Sequence, residues 1–122
     1  MAKSVVIICE QSPIGKNSTI EAIRLGAGIT AVGDIEKCQV IFIGDSVYFL
    51  SKDLNPEALN MESFSNFYRM IELADIEVYG LDSDLELAGL EPSDLLDFDN
   101  IKIISKKELA QFILEAEVIF KY

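Results

Sequence analysis

Val5-Val6-Ile7-Ile8-Cys9 is an unbroken apolar, β-branched run, and it limits the fold more than any other segment of this chain. A strand with one wet face alternates polar and apolar residues, whereas a continuous run reads as a strand covered on both faces. The pattern recurs at Gln39-Val40-Ile41-Phe42-Ile43, at Ile76 to Gly80, at Ile101 to Ile104 and at Val118 to Tyr122. Between these runs lie helical signals. Asn17 or Ser18 can cap a first helix, with Glu21 placed to close a capping box from Ser18 and Ile20, Ile23, Ala27 and Ala31 as its apolar stripe. A second helix is predicted from about Glu62 to Ala74, with Phe64, Phe67, Ile71 and Ala74 on one face. Asp82 or Ser83 caps a short helix ending near Ala88-Gly89-Leu90, and Ser105-Lys106-Lys107-Glu108 is a further capping box.

Strands alternating with helices imply right-handed crossovers. The expected fold is therefore α/β, a three-layer sandwich on a mainly parallel five-stranded sheet with the Val5–Cys9 strand central. At 122 residues, one domain over 1–122 is expected. The short apolar stretch Val47 to Leu50 and the Pro56-containing stretch Lys52 to Asn60, which reads as a surface loop, complete the chain.

Composition removes several functions. Lys and Arg number 10 against 21 Asp and Glu, a formal net charge of −11. Nucleic-acid affinity comes mostly from cations neutralising phosphates, so direct nucleic-acid binding is not expected, nor is docking on an anionic membrane. Lys102, Lys106, Lys107 and Lys121 form the basic cluster from which any such surface would have to come. No targeting segment is apparent, and no run approaches the length of a membrane span. With two cysteines and no disulfide framework, a reducing cytoplasmic location with both thiols free is expected.

The chain has no histidine, which rules out Ser-His-Asp and Cys-His catalysis and His-based zinc sites. Cys9 and Cys38 make no CxxC motif, and no metal or other cofactor is expected. Gly15-Lys16-Asn17-Ser18 falls short of a P-loop, because Glu10 stands where its first glycine belongs and no hydroxyl residue follows the lysine. In parallel sheets, ligands gather at the carboxyl ends of the strands. That rule selects Ser12, Gly15, Ser18, Asp45 and Tyr79 as candidate crevice residues and Cys9 as a weak candidate nucleophile beside a helix N-terminus. Cys38, at the start of the second strand, should lie at the opposite edge of the sheet, too far from Cys9 for a disulfide.

Several segments together resemble the DsrE/DsrF-like family. The first strand with Gln11-Ser12-Pro13-Ile14-Gly15 and the helix through Glu21-Ala22 looks like its opening. Val40-Ile41-Phe42-Ile43-Gly44-Asp45-Ser46-Val47-Tyr48 is similar to the "FFIGDGV" segment of the DsrF/TusC branch. Phe67 to Ile76, the short helix ending Ala88-Gly89-Leu90, and Ala116-Glu117-Val118-Ile119-Phe120-Lys121-Tyr122 keep the same order, so the likeness spans nearly the whole chain.

The resemblance implies a cytoplasmic sulfur-relay subunit, in tRNA 2-thiolation or in sulfur oxidation. Carrier members of the DsrE/TusD branch hold their persulfide cysteine in the loop after the third strand. Here Val78-Tyr79-Gly80-Leu81-Asp82-Ser83 has none, so the resemblance implies a non-carrier subunit without independent catalysis, supporting a DsrE/TusD-like or other sulfur carrier. A homo- or hetero-oligomer is expected, a trimer or hexamer first and a dimer next. The aromatic surplus from Tyr48 and Phe49 through Met61, Phe64, Phe67, Tyr68 and Met70 is the residue-level support for an interface. The alternatives are a stand-alone sulfurtransferase using Cys9 and a small-molecule or nucleotide sensor at the strand-end crevice.

Overall fold

The structure is a computed structural model that describes residues 4–33, 35, 37–54, 56–59 and 63–122. The chain runs β1 (Ser4–Cys9), α1 (Ser18–Val32), β2 (Lys37–Phe42), a 3₁₀ segment over Gly44–Leu50, α2 (Ser65–Leu73), β3 (Glu77–Leu81), α3 (Asp82–Leu87), β4 (Ile101–Ile104), α4 (Lys106–Glu115) and β5 (Val118–Lys121). Short 3₁₀ turns at Pro56–Leu59 and Pro92–Asp94 complete the described elements.

All five strands are parallel, in the order β4-β3-β2-β1-β5. The first three crossovers step one way across the sheet and the last returns to the far edge. Right-handed crossovers then place α1, α2 and α3 on one face and α4 on the other. Packing agrees with this. Ile7, Cys9, Val40, Phe42 and Val78 form the large core with Ala22, Ile23, Ile71 and Leu85, whereas Val6, Ile41, Tyr79 and Ile104 meet Leu109 and Phe112 of α4.

The expectation of a central β1 is corrected, because β2 is the middle strand and β1 lies between β2 and β5. The sequence marks the edges, since β4 and β5 carry Lys102 and Lys121, but both β1 and β2 are interior and their apolar runs do not tell which of them is central.

Two details of α1 also differ. Its buried face is Thr19, Ala22, Ile23 and Gly26, and Ala31 is exposed. Gly26 sets that face, because a Cβ there would stand 2.8 Å from Val40 Cγ2. The capping box from Ser18 does not form. Asn17 is the N-cap without a side-chain bond, Ser18 Oγ donates to Gln11 Oε1 at 2.9 Å, and Glu21 pairs with Arg24 at 3.0 Å. Both box partners have been drawn elsewhere. The Ser105–Glu108 box of α4 does form, with Ser105 Oγ accepting from the Glu108 N–H at 3.2 Å.

The aromatic segment is mostly interior. Val47, Phe49, Leu50 and Phe64 are buried, Phe67, Tyr68 and Met70 are half-buried, and Tyr48 is exposed. Met61 and Glu62 lie outside the described residues. The surplus that suggested an interface is therefore largely consumed by the core under the 3₁₀ segment.

Candidate functional site at the carboxyl edge of the sheet

The loop after β1, the 3₁₀ segment after β2 and the start of α3 meet where β1, β2 and β3 end. Gly44, just past β2, adopts φ +56°, and a Cβ there would approach the Glu10 carbonyl oxygen to 3.2 Å, so glycine lets the first two segments touch. The Gly44 N–H donates to Asp84 Oδ2 at 2.7 Å, which ties the 3₁₀ segment to α3. Beneath them Ile43 N–H donates to the Cys9 carbonyl at 2.9 Å. The fully buried Ser46 hydroxyl lies 2.6 Å from that same carbonyl and 2.7 Å from the carbonyl of Ile43.

Ser46→Ala would remove this buried donor. It should cost about 1–3 kcal/mol, read as a lower urea midpoint at unchanged slope, because the carbonyls cannot turn to water instead.

Cys9 ends β1 on the face covered by α1 to α3 and is fully buried. Burial pushes its thiol up to about 11, and the weaker opposing contacts with the Gln11 N–H, the Ser46 hydroxyl and the Glu10 N–H do not restore it. Near neutral pH the sulfur is a thiol, not a thiolate, and thiols are poor nucleophiles. Cys38, opposite Val5 near the amino ends of the strands, is likewise buried, free and raised to about 11 by burial and the charge of Glu77.

The remaining candidates are spread out. Ser12 Oγ accepts from the Ile14 N–H at 3.1 Å, which makes it a turn residue. Gly15, at φ +77°, is exposed in the same loop, and Ser18 faces Gln11. Asp45 is exposed and lines a cavity of about 110 Å³ with Gly44, Tyr48, Asp84, Leu87 and Ala88. Tyr79 does not join them. It sits mid-strand, paired with Ile41 and Lys102. It points to the α4 side, its ring 5.1 Å from Phe112 and its hydroxyl donating to Glu77 Oε1 at 2.8 Å.

Asp84, which links the 3₁₀ segment to α3, was not singled out in the sequence. Its signal was an acidic residue in the first turn of a helix that starts directly from a strand. Among the described residues, no three His, Cys, Asp or Glu side chains are gathered so as to hold a metal ion.

Fold and edge together define a parallel α/β protein whose strand-end segments are stitched by backbone and carboxylate contacts around a buried thiol. The profile of the DsrE/DsrF-like family matches residues 3–122, and this chain belongs to that family. It is 26% identical to the intracellular sulfur oxidation protein DsrF of Allochromatium vinosum, a match covering 100% of this chain and 98% of that protein. Among solved structures, the ychN protein of E. coli superimposes with a TM-score of 0.80 at 18% identity, covering 98% of this chain and 99% of the other. MTH1491 of Methanobacterium thermoautotrophicum gives a TM-score of 0.65 at 15% identity, with 100% of both chains covered. These two structural likenesses concern the fold. Among the described residues, no helix is long and apolar enough to cross a membrane.

Proposed function

We propose that this chain is a non-carrier subunit of a cytoplasmic sulfur-relay assembly, of the sulfur-oxidation or tRNA 2-thiolation kind, that supports a persulfide-carrying partner. Its family membership and its likeness to a protein named for intracellular sulfur oxidation support the sulfur setting. The observation that carries the non-carrier role is the start of α3. There Leu81 is buried, Asp82 is exposed and Ser83 Oγ is enclosed without a partner, where the resembling carriers hold a cysteine. A relay step needs a thiolate to attack the sulfane sulfur of a persulfide while the donor sulfur leaves as a thiolate. Asp82 and Ser83 cannot perform it, and burial withholds it from Cys9.

The partners are expected to be sulfur carriers, in a trimer or hexamer first and a dimer next, which sedimentation of the chain alone and of a co-expressed complex measures. With a net charge of −11, contacts to RNA fall to those partners.

The deciding experiment is incubation of the folded chain with a low-molecular-weight persulfide donor, followed by intact-mass analysis. No stable gain of a sulfur atom is expected. A gain abolished by Cys9→Ser would overturn the proposal and make the chain a sulfurtransferase in its own right.

A further inference from the structure

On the edge of the sheet away from β5, a groove of about 390 Å³ runs between α3, the Gly89–Pro92 turn and β4. Its apolar walls are Leu85, Leu90, Pro92 and Ile103, and its carboxylates are Asp82, Glu86 and Glu91. Two properties distinguish it from an ordinary surface dimple. First, β4 is the last strand of the sheet, with no strand beside its outer edge among the described residues. The Ile101 N–H on that edge turns back to the Phe98 carbonyl, which leaves the Ile103 backbone facing outward, and Ile103 stands 40% exposed in the groove. Second, the carboxylates lack cations. The ion pairs among the described residues are Glu21–Arg24 and Glu10–Lys121, and neither involves the groove.

We propose that this groove docks an extended segment of a partner protein that carries an apolar side chain flanked by lysine or arginine. The segment adds as a further strand to the free edge of β4, where main-chain hydrogen bonds supply affinity and alternate side chains supply specificity. Its apolar residue covers Ile103 and enters between Leu85 and Leu90. Its flanking cations meet Glu86, Glu91 and Asp82, of which Asp82 is the least available because it already accepts from the Ser83 N–H. Glu91 holds the Pro92–Asp94 turn through its backbone, its N–H donating to Asp94 Oδ2 and its carbonyl accepting from the Asp94 N–H. The edge favours a polypeptide over a small molecule here, because the Ile103 N–H and the outward carbonyls of Ile101 and Ile103 offer the donor and acceptors that an extended segment matches, rather than a closed cavity. A strongly acidic chain also disfavours a second copy of itself on an acidic rim. The inference deepens the proposed subunit role by stating how the neighbour is held, and it rests on that role for the neighbour's existence.

The test is selection of a displayed library of random dodecamers on the immobilised full chain, counter-selected on Glu86→Lys. The expected winners carry Leu, Ile, Met or Phe between basic residues. They should bind about tenfold more weakly to Glu86→Lys and to Ile103→Thr, and more weakly at high salt. Unchanged thermal unfolding of both variants establishes that they fold. Amide shifts on adding a selected peptide should map to Leu85, Leu90 and residues 101–104. No enrichment over Glu86→Lys, enrichment of acidic or neutral peptides, or shifts mapping elsewhere would overturn the proposal. So would concentration-dependent shifts at these residues without peptide, which would give the groove to a second copy. A sulfur gain at Cys9 would sink the non-carrier reading and leave the peptide result standing. A failed selection would remove this surface and leave that reading untouched.

Discussion

Raising the pH from the neutral range through 9 to 11 is expected to remove about 3 kcal/mol of folding stability for each of the two buried thiols. Both Cys9 and Cys38 move from an ordinary 9.0 to about 11 in the folded chain, chiefly because burial disfavours the thiolate. Below pH 9 both states hold the proton and the stabilisation is complete. Between 9 and 11 the unfolded chain releases protons that the folded chain keeps, so stability falls as pH rises. Beyond 11 both states release the proton and the loss levels off. Tyr68, whose hydroxyl donates to the Phe49 carbonyl at 3.0 Å, is shifted upward by burial and adds to the alkaline loss. Urea midpoints measured across this window should therefore slope downward. The double variant Cys9→Ala/Cys38→Ala should start less stable, because it leaves small cavities, and should show a shallower slope. A wild-type midpoint that is flat from pH 9 to 11 would mean that the thiols are not shielded, and with that the case against Cys9 as a nucleophile would fall.

Phe49→Ala is the substitution expected to do most damage, at about 3–5 kcal/mol, the usual cost of deleting a buried aromatic ring. Phe49 is fully buried in the 3₁₀ segment after β2, and its ring centroid lies 5.5 Å from Phe42, 5.3 Å from Phe64 and 5.0 Å from Tyr68. It thus joins the end of β2 to α2, and its own carbonyl receives the Tyr68 hydroxyl. The neighbouring Tyr48→Ala should change stability by about 0.5 kcal/mol or less, since Tyr48 is exposed. Equilibrium urea unfolding of the pair measures the contrast. Near-equal losses would show that the aromatic segment is surface and would return it to the interface first read from its composition.

The family placement and the proposed non-carrier role drew on different kinds of information. The ordered segments from Gln11-Ser12-Pro13-Ile14-Gly15 to the Val118–Tyr122 end were enough to place the chain in its family, because motif order is a property of sequence. The missing cysteine between Val78 and Ser83 was equally plain. The state of Cys9 was less so. A cysteine at a strand end can face a solvent crevice or the core, and only the pleat decides. Cys9 shares the face of Val5 and Ile7, under α1 to α3.

The groove beside β4 left still less trace. It is made by Leu85, Leu90 and Ile103, which are separated along the chain and would each pass for ordinary core residues. Tyr79 shows the same gap from the other side. Its position near the end of β3 suggested the crevice, yet alternation along the strand turns it to the α4 layer.

The sequence by itself determined the class of this protein. Continuous β-branched runs require strands covered on both faces, and the capped helical stretches between them require crossovers, so a parallel α/β sheet follows from local patterning and chirality. It also determined the strong negative charge and the absence of histidine and of a thiol after β3. The tertiary structure decided what depends on neighbours distant in sequence. Strand order is one such property: three crossovers step one way and one returns, which puts β2 rather than β1 at the centre. Side-chain competition is another, since Ser18 finds Gln11 before it can cap its own helix. The third is dielectric surroundings. The thiol of Cys9 is held protonated by the packing around it, and no property of the cysteine alone records that.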